Sequence, residues 1–321
     1  MRIPNTVIAV LGPTAVGKTH VGQSVALELG GEVVSADSMQ VYRGMDIGTA
    51  KTPAGERVVP HHCIDLVAPG TPYSAALYQH DARAAIDGIL ARGSVPILVG
   101  GTGLYARAAL DDMRFPTGET DTPERRRYET LAEEIGSIAL HDLLAERDPG
   151  SAALVHPNNV RRVIRALEMA DEGTSYADQA AGFKQRLCVY PTVFIGLTME
   201  RRALYARIDR RVDEMIDSGL LDEVRGLLGA GYRDALTASQ AIGYKELVPV
   251  IEGTTPLPEA VDAIKRATRR YAKRQLTWFR ADPRITWTDV TDLSPADSVE
   301  QVLELIESCE PQTPIADQLR G

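Results

Sequence analysis

Short apolar runs without a polar break alternate with stretches of helical spacing through the first third of the chain. Residues 6–12 (TVIAVLG) predict a buried strand, residues 31–38 (GEVVSADS) a second, and residues 95–105 (VPILVGGTGLY) a third that breaks into a glycine turn. Between the last two, residues 73–93 repeat apolar positions at the three- and four-residue intervals of a helix with one buried face. Apolar runs that do not alternate suit strands covered on both sides. Strand, helix and strand in turn predict a parallel sheet with helices on its faces.

The pattern changes near residue 116. From 116 to 190 no strand-like run occurs, only amphipathic stretches rich in Arg and Glu: TPERRRYETLAEEIG, ALHDLLAER and NVRRVIRALEMADEG. A buried strand returns at 192–199 (TVFIGLTM), and long helices follow to about residue 280. Residues 285–290 (ITWTDV) add a last strand and PADSVEQVLELIESC a final helix. The expected organisation is an α/β core in two parts, 1–115 and a mainly helical 191–310, interrupted by an all-helical insertion at 116–190. Residues 311–321 carry little apolar surface and are expected to form a disordered tail.

Composition adds exclusions. The 321 residues are 44% hydrophobic and 25% charged, an ordinary globular balance. Cys63, Cys188 and Cys309 lie far apart with no C-x-x-C pair, which argues against a disulfide framework and a zinc knuckle. The N-terminal apolar run is too short for a signal peptide, and nothing approaches the roughly 18 apolar residues of a membrane span. No membrane partner is expected, and the cytoplasm is the expected location. Net charge is −9, yet residues 265–280 (KRATRRYAKRQLTWFR) hold seven Lys and Arg and no acid. A patch that concentrated acts locally whatever the total.

The candidate chemistry begins with GPTAVGKT, residues 12–19, at the end of the first strand. Backbone N–H groups of such a turn, at the positive end of a helix, cradle phosphate oxygens. Lys18 would neutralise terminal phosphate charge and the Thr19 hydroxyl would reach Mg²⁺. The fold expected is therefore a P-loop NTPase-like parallel-sheet core with an inserted all-helical domain. A kinase or ATPase also needs a carboxylate on a neighbouring strand, but PILV runs into Gly100, Gly101, Thr102 and Gly103. The acid comes instead from SADSMQ. Asp37 closes the second strand at the edge where open parallel sheets bind ligands. Three roles are open to it: metal ligand, general base, or cap of the turn at Ser38. His61 and His62 have no metal-ligand partners nearby and read as a loop feature.

GPTAVGKT, SADSMQVYRGMDIGTAKT, HHCIDL, VGGTGLY, RALE, QAIGYKEL and AKRQLTWFR occur in this order between residues 12 and 280. Together they resemble the bacterial tRNA dimethylallyltransferase (tRNA isopentenyltransferase) family. The resemblance implies Mg²⁺-dependent transfer of a dimethylallyl group from dimethylallyl diphosphate to tRNA. The acceptor would be N6 of the adenosine after the anticodon, position 37, in tRNAs reading codons that begin with U, giving N6-isopentenyladenosine. The partner would be the anticodon stem-loop, bound by a monomer. Departures are small: Val16 stands where Ser is common and Asn159 where Asp is common.

On this resemblance Gly12, Thr14, Ala15, Val16, Gly17, Lys18 and Thr19 bind the diphosphate, Thr19 also meets the metal, and LYARIDRRVDEM supplies a basic residue, assigned to Arg207. Asp37 matches the general base and Thr102 the hydroxyl against the target nucleotide. The RNA-contacting segments match Asp37, Ser38, Met39 and Gln40, then Thr102, Arg126, Arg161, Arg162 and Arg165. They continue through Gln240, Ala241, Ile242, Gly243, Tyr244 and Lys245 to Lys273, Arg274, Gln275, Leu276, Thr277, Trp278, Phe279 and Arg280.

The chemistry is coherent. Diphosphate is the leaving group, so a loop that clamps its oxygens needs no γ-phosphate to act on. The adenine N6 is a weak nucleophile that gains from losing a proton to a carboxylate. The basic helix has two faces: Ile264, Tyr271 and Trp278, with Ala272, Leu276 and Phe279, give a core side, and Arg266, Arg270 and Arg274 a separate stripe. Trp278 and Phe279 are expected in the core. The rivals are an adenylate dimethylallyltransferase acting on a free nucleotide, a P-loop kinase, and a non-catalytic RNA-binding protein.

Overall fold

In the computed structural model, residues 5–115, 122–229, 231–235 and 237–315 are described. The chain forms two compact units, residues 1–110 with 188–321, and residues 111–187. The helical unit thus begins at 111 and ends at 187, where 116 and 190 were expected. Asp112 N–H donates to the Leu187 carbonyl at 2.8 Å and closes that unit. Val189 N–H donates to Leu110 at 2.8 Å, within the first unit. These backbone bonds carry no hydrophobic signature, which is why the pattern placed the boundary a few residues away.

In the first unit, β1 (Val7–Leu11), β2 (Gly31–Ala36), β3 (His61–His62), β4 (Val95–Gly100), β5 (Thr192–Thr198) and β6 (Thr286–Asp289) make one sheet in the order β3-β2-β4-β1-β5-β6. Every pairing is parallel. Ile8 lies opposite both Ile97 and Val193, so the central register aligns three apolar runs. The first helices are α1 (Lys18–Leu29), α2 (Ala75–Ala91) and α3 (Gly103–Leu110).

The second unit holds α4 (Pro123–Arg147), α5 (Pro149–Ala152), α6 (Val160–Asp171) and α7 (Tyr176–Gly182). Its core is Tyr128, Leu140 and Leu144 against Val163, Ile164 and Leu167. Helix α4 breaks at Gly136, whose φ of 80° and ψ of 166° lie outside the helical region.

The first unit resumes with α8 (Arg201–Asp217), α9 (Leu220–Leu228), α10 (Tyr244–Ile251), α11 (Leu257–Arg280) and α12 (Pro295–Ser308). Its central core joins Ile8, Val10, Ile97, Val99 and Ile195 of the sheet to Val21 and Val25 of α1, Ile208 of α8 and Val302 of α12. All of β1 is buried, the result of cover on both faces.

Two expectations are corrected. His61 and His62 form a short edge strand against Val33 and Val34, not a loop. The His62 Nε2 lies 2.7 Å from Glu32 and the His61 Nε2 3.2 Å from Gln23, so both imidazoles are held by side chains at the sheet's margin. The tail is ordered in its first part: Gln312 pairs with Thr192, and Ile315 N–H donates to Cys188 at 2.9 Å. Residues 316–321 lie outside the described residues. Among the described residues no helix is long and apolar enough to cross a membrane.

Candidate active site

The turn between β1 and α1 is built to hold an anion. Helix α1 opens at Lys18 with Gly17 as its cap at φ 108°, a conformation that favours glycine. No side chain caps this end and no acid stands in its first turn. Its first N–H groups and positive end are thus left for a ligand. Val16 points into the hydrophobic core and anchors the loop from beneath, a task a serine would do less well.

Lys18 Nζ donates to the Pro13 carbonyl at 2.6 Å. Burial pushes the Lys18 ammonium down to about 7, the Asp37 carboxylate opposes that shift, and Arg211 adds to it. Thr19 is exposed at the same mouth.

Asp37 sits just past β2, and Thr102 just past the neighbouring β4. Thr102 N–H donates to the Ala36 carbonyl at 3.1 Å, and its hydroxyl oxygen accepts the Ser38 N–H at 3.1 Å. The two strand ends are therefore locked together. Asp37 Oδ1 accepts the N–H of Met39 at 2.9 Å, so the turn it caps is at Met39 rather than Ser38. One carboxylate oxygen serves the turn while the group as a whole lines a cavity.

That cavity has a volume of about 450 Å³. The phosphate loop contributes Thr14, Ala15, Lys18 and Thr19, the β2 turn contributes Asp37 to Gln40, and the α10 approach contributes Gln240 to Lys245. Helix α11 adds Arg270, Tyr271, Arg274 and Gln275, and Ile208, Val212, Met215 and Ile264 give an apolar wall. Arg207 is exposed and approaches the loop at Gly17, its Nη2 being 3.9 Å from where a Cβ would stand.

Two residues outside the site set named from sequence line the cavity, one of them, Arg211, within the segment LYARIDRRVDEM that was expected to supply a basic residue. Arg211, one turn beyond Arg207 on α8, lies in the cavity wall facing Asp37. Tyr271, read as core, turns its hydroxyl to Thr102 and Gln275; burial and then the Asp37 charge push it up to about 12, so it stays a neutral donor. The only sequence signal was helical spacing: Arg211 four residues from Arg207, Tyr271 four from Gln275.

Several of the residues expected to contact RNA also make bonds or packing within the fold. Tyr244 is fully buried and its hydroxyl donates to Glu223 at 2.6 Å. That Glu223 also accepts the N–H groups of Asp46 and Ile47 at 3.1 and 2.8 Å, which sets the loop after β2. Gln40 shares a 2.8 Å bond with Ser35. Ala241 and Phe279 are buried and Leu276 half-buried.

On α11 the exposed face carries Arg266, Arg270, Lys273, Arg274, Thr277 and Arg280. Two further cations hold the helix to α8, Lys265 to Asp213 and Arg269 to Asp209, each at 2.6 Å. Trp278 is 49% exposed, contrary to the core assignment, and its indole lies over Gly103 beside Thr102. In the helical unit Arg126, Arg161 and Arg162 are exposed, while Arg165 bonds the buried Glu168 at 3.3 Å.

Comparison with known proteins agrees with this arrangement. The sequence model described as IPP transferase matches residues 40–282, and that described as isopentenyl transferase matches residues 5–58. A tRNA dimethylallyltransferase of Geobacillus thermodenitrificans is 50% identical over 94% of this chain and 96% of its own. The crystal structure of full-length tRNA isopentenylpyrophosphate transferase from Bacillus halodurans matches with a TM-score of 0.70 at 46% identity, covering 95% of this chain and 96% of that one. A eukaryotic dimethylallyltransferase captured acting on tRNA matches with a TM-score of 0.80 at 28% identity, over 96% of this chain and 81% of its own. With the loop, the Asp37 turn and the basic helix all inside the matched regions, the chain belongs to the IPP transferase family.

Proposed function

We propose that this protein moves a dimethylallyl group from dimethylallyl diphosphate to N6 of the adenosine after the anticodon of tRNA. One observation carries the reading: an anion-binding loop and a single carboxylate, Asp37, face one cavity, while β4 ends in glycine where a kinase would place its acid. The diphosphate seats on the loop against Lys18 and the first N–H groups of α1, with Arg211 and Arg207 at its margin. As the allylic C–O bond breaks, these donors hold the growing charge. As the N6–C bond forms, one N6 proton passes to Asp37 and diphosphate leaves. Tyr271 and Thr102 offer hydroxyls beside the acceptor base.

Mg²⁺ fits the donor set as a cation carried by the diphosphate. Mg²⁺ in general keeps several waters and needs few protein ligands, so the Thr19 hydroxyl would hold it together with the diphosphate. No group of three His, Cys, Asp or Glu able to cage a metal exists among the described residues. When bound, Mg²⁺ would neutralise diphosphate charge.

The acceptor is read as an anticodon stem-loop on the family resemblance, and the exposed cations of α11, which lines the cavity, suit a nucleic-acid backbone. The target base would be flipped from its stack to reach Asp37. We read the protein as a monomer, as the family resemblance implies, at work in the cytoplasm.

Labelled dimethylallyl diphosphate incubated separately with bulk tRNA, with AMP and with ATP tests the reading. Label is expected in tRNA alone. Label in AMP would mark an adenylate dimethylallyltransferase, and brisk ATP hydrolysis would sink the transferase reading.

A second measurement tests the helix. Changing Arg270 and Arg274 to Ala is expected to weaken tRNA binding and flatten its log–log salt dependence. The slope should fall by about one unit per lost phosphate contact, somewhat less on single-stranded RNA. Unchanged tRNA affinity at low salt would reduce this face of α11 to solvated surface.

A further inference from the structure

Gln275 lies within the basic stretch of α11 but turns its amide inward, with only 6% of its surface exposed. Its Oε1 accepts the N–H of Thr14, in the phosphate loop, at 2.8 Å. Its Nε2 donates to the carbonyl of Gly101, the residue before Thr102, at 2.8 Å. Both distances are those of well-formed hydrogen bonds. The fit leaves no slack, since a Cβ on Gly101 would stand 2.2 Å from Nε2. One side chain thus ties the loop that holds the leaving group to the turn that carries Thr102.

We propose that Gln275 is a positioning residue that fixes the diphosphate loop relative to the Thr102 turn, and that it makes no contact with RNA. The chemistry of the side chain is specific. The primary amide offers an acceptor to Thr14 and a donor to Gly101 at once, from two atoms at the end of one unbranched, uncharged side chain. A carboxylate would set an oxygen against the Gly101 carbonyl, and an apolar chain would leave both backbone groups to find new partners. Displacement at an allylic carbon needs donor carbon and acceptor nitrogen held near contact, where a shift of about 1 Å costs about 10²-fold in rate. Gln275 spans the two halves whose separation sets that distance. Tyr271, one turn earlier on α11, turns its hydroxyl to the same Thr102 and to Gln275.

The kinetic part of this inference rests on the prenyl-transfer reading; the binding part does not. The test uses two neutral variants, Gln275→Met, of similar length without the amide, and Gln275→Asn, an amide too short to span both partners. Three readouts are taken: calorimetric affinity for inorganic pyrophosphate with Mg²⁺, tRNA affinity and its salt slope, and the single-turnover rate at saturating substrates.

Pyrophosphate affinity is expected to fall about tenfold and the single-turnover rate about 10²-fold, with tRNA affinity and slope within about twofold of wild type. Weakened tRNA binding with pyrophosphate affinity intact would make Gln275 an RNA contact and overturn the proposal. Wild-type values for all three would reduce it to ordinary packing. Should the Met variant fail to melt cooperatively, the Asn variant decides alone, on the same outcomes. Wild-type protein that binds pyrophosphate yet labels no tRNA would overturn the prenyl-transfer reading and leave the binding arms of this test standing.

Discussion

Asp37→Asn is expected to slow the chemical step by about 10²–10⁴-fold, the range for losing a general base, while both substrates still bind. The structure makes this an unusually clean substitution. Asp37 Oδ1 accepts the Met39 N–H at 2.9 Å, a bond that an Asn oxygen can keep, so the turn should survive. What Asn cannot do is take the N6 proton at neutral pH. Single-turnover rates at saturating tRNA and two Mg²⁺ concentrations separate the roles. A metal ligand would show weakened diphosphate binding and partial rescue by extra Mg²⁺. A pure cap would tolerate Asn almost fully, since the two residues cap comparably. A rate within a few-fold of wild type would remove Asp37 from the chemistry.

How legible the site was depends on whether each residue's role is local. The phosphate loop and the Asp37 turn are contiguous in sequence, because strand ends and glycine turns deliver them directly. β1, β4 and β5 were readable because cover on both faces demands unbroken apolar runs. β3 was not. Two residues carry no period, and its pairing with Val33 and Val34 depends on where the rest of the sheet lies.

The places of Arg211, Tyr271 and Gln275 were not legible for a different reason. Each is a site residue only because α8 and α11 turn one particular face to the cavity. Sequence periodicity cannot distinguish a wall of a cavity from a wall of the core. Trp278 shows the limit of a seven-residue repeat on a straight helix. Two heptads drift by about 40°, so a line begun at buried Ile264 ends with Trp278 at the edge of the buried face, half in solvent.

Lys18→Ala is expected to cut the transfer rate by about 10²–10³-fold, the cost of removing one donor from a developing anion, with diphosphate affinity falling alongside. The pH dependence says more than the loss itself. Burial lowers the Lys18 pKa from 10.5 to about 7, so the unfolded chain holds this proton more tightly than the empty folded protein. The burial cost is complete below about 7 and disappears as pH rises towards 10.5, where both states are neutral. Stability therefore gains from Lys18 deprotonation across that window. The empty Ala variant, freed of the cost, should melt no lower than wild type at neutral pH. A bound diphosphate reverses the balance, because its charge favours the ammonium. Above pH 7 its binding should draw in one proton, and affinity should fall by up to about tenfold per pH unit. Calorimetry in two buffers of different ionisation enthalpy would measure that uptake, and Lys18→Ala should abolish it. Uptake that persists in the variant would assign the proton to another group and leave Lys18 charged in the empty site.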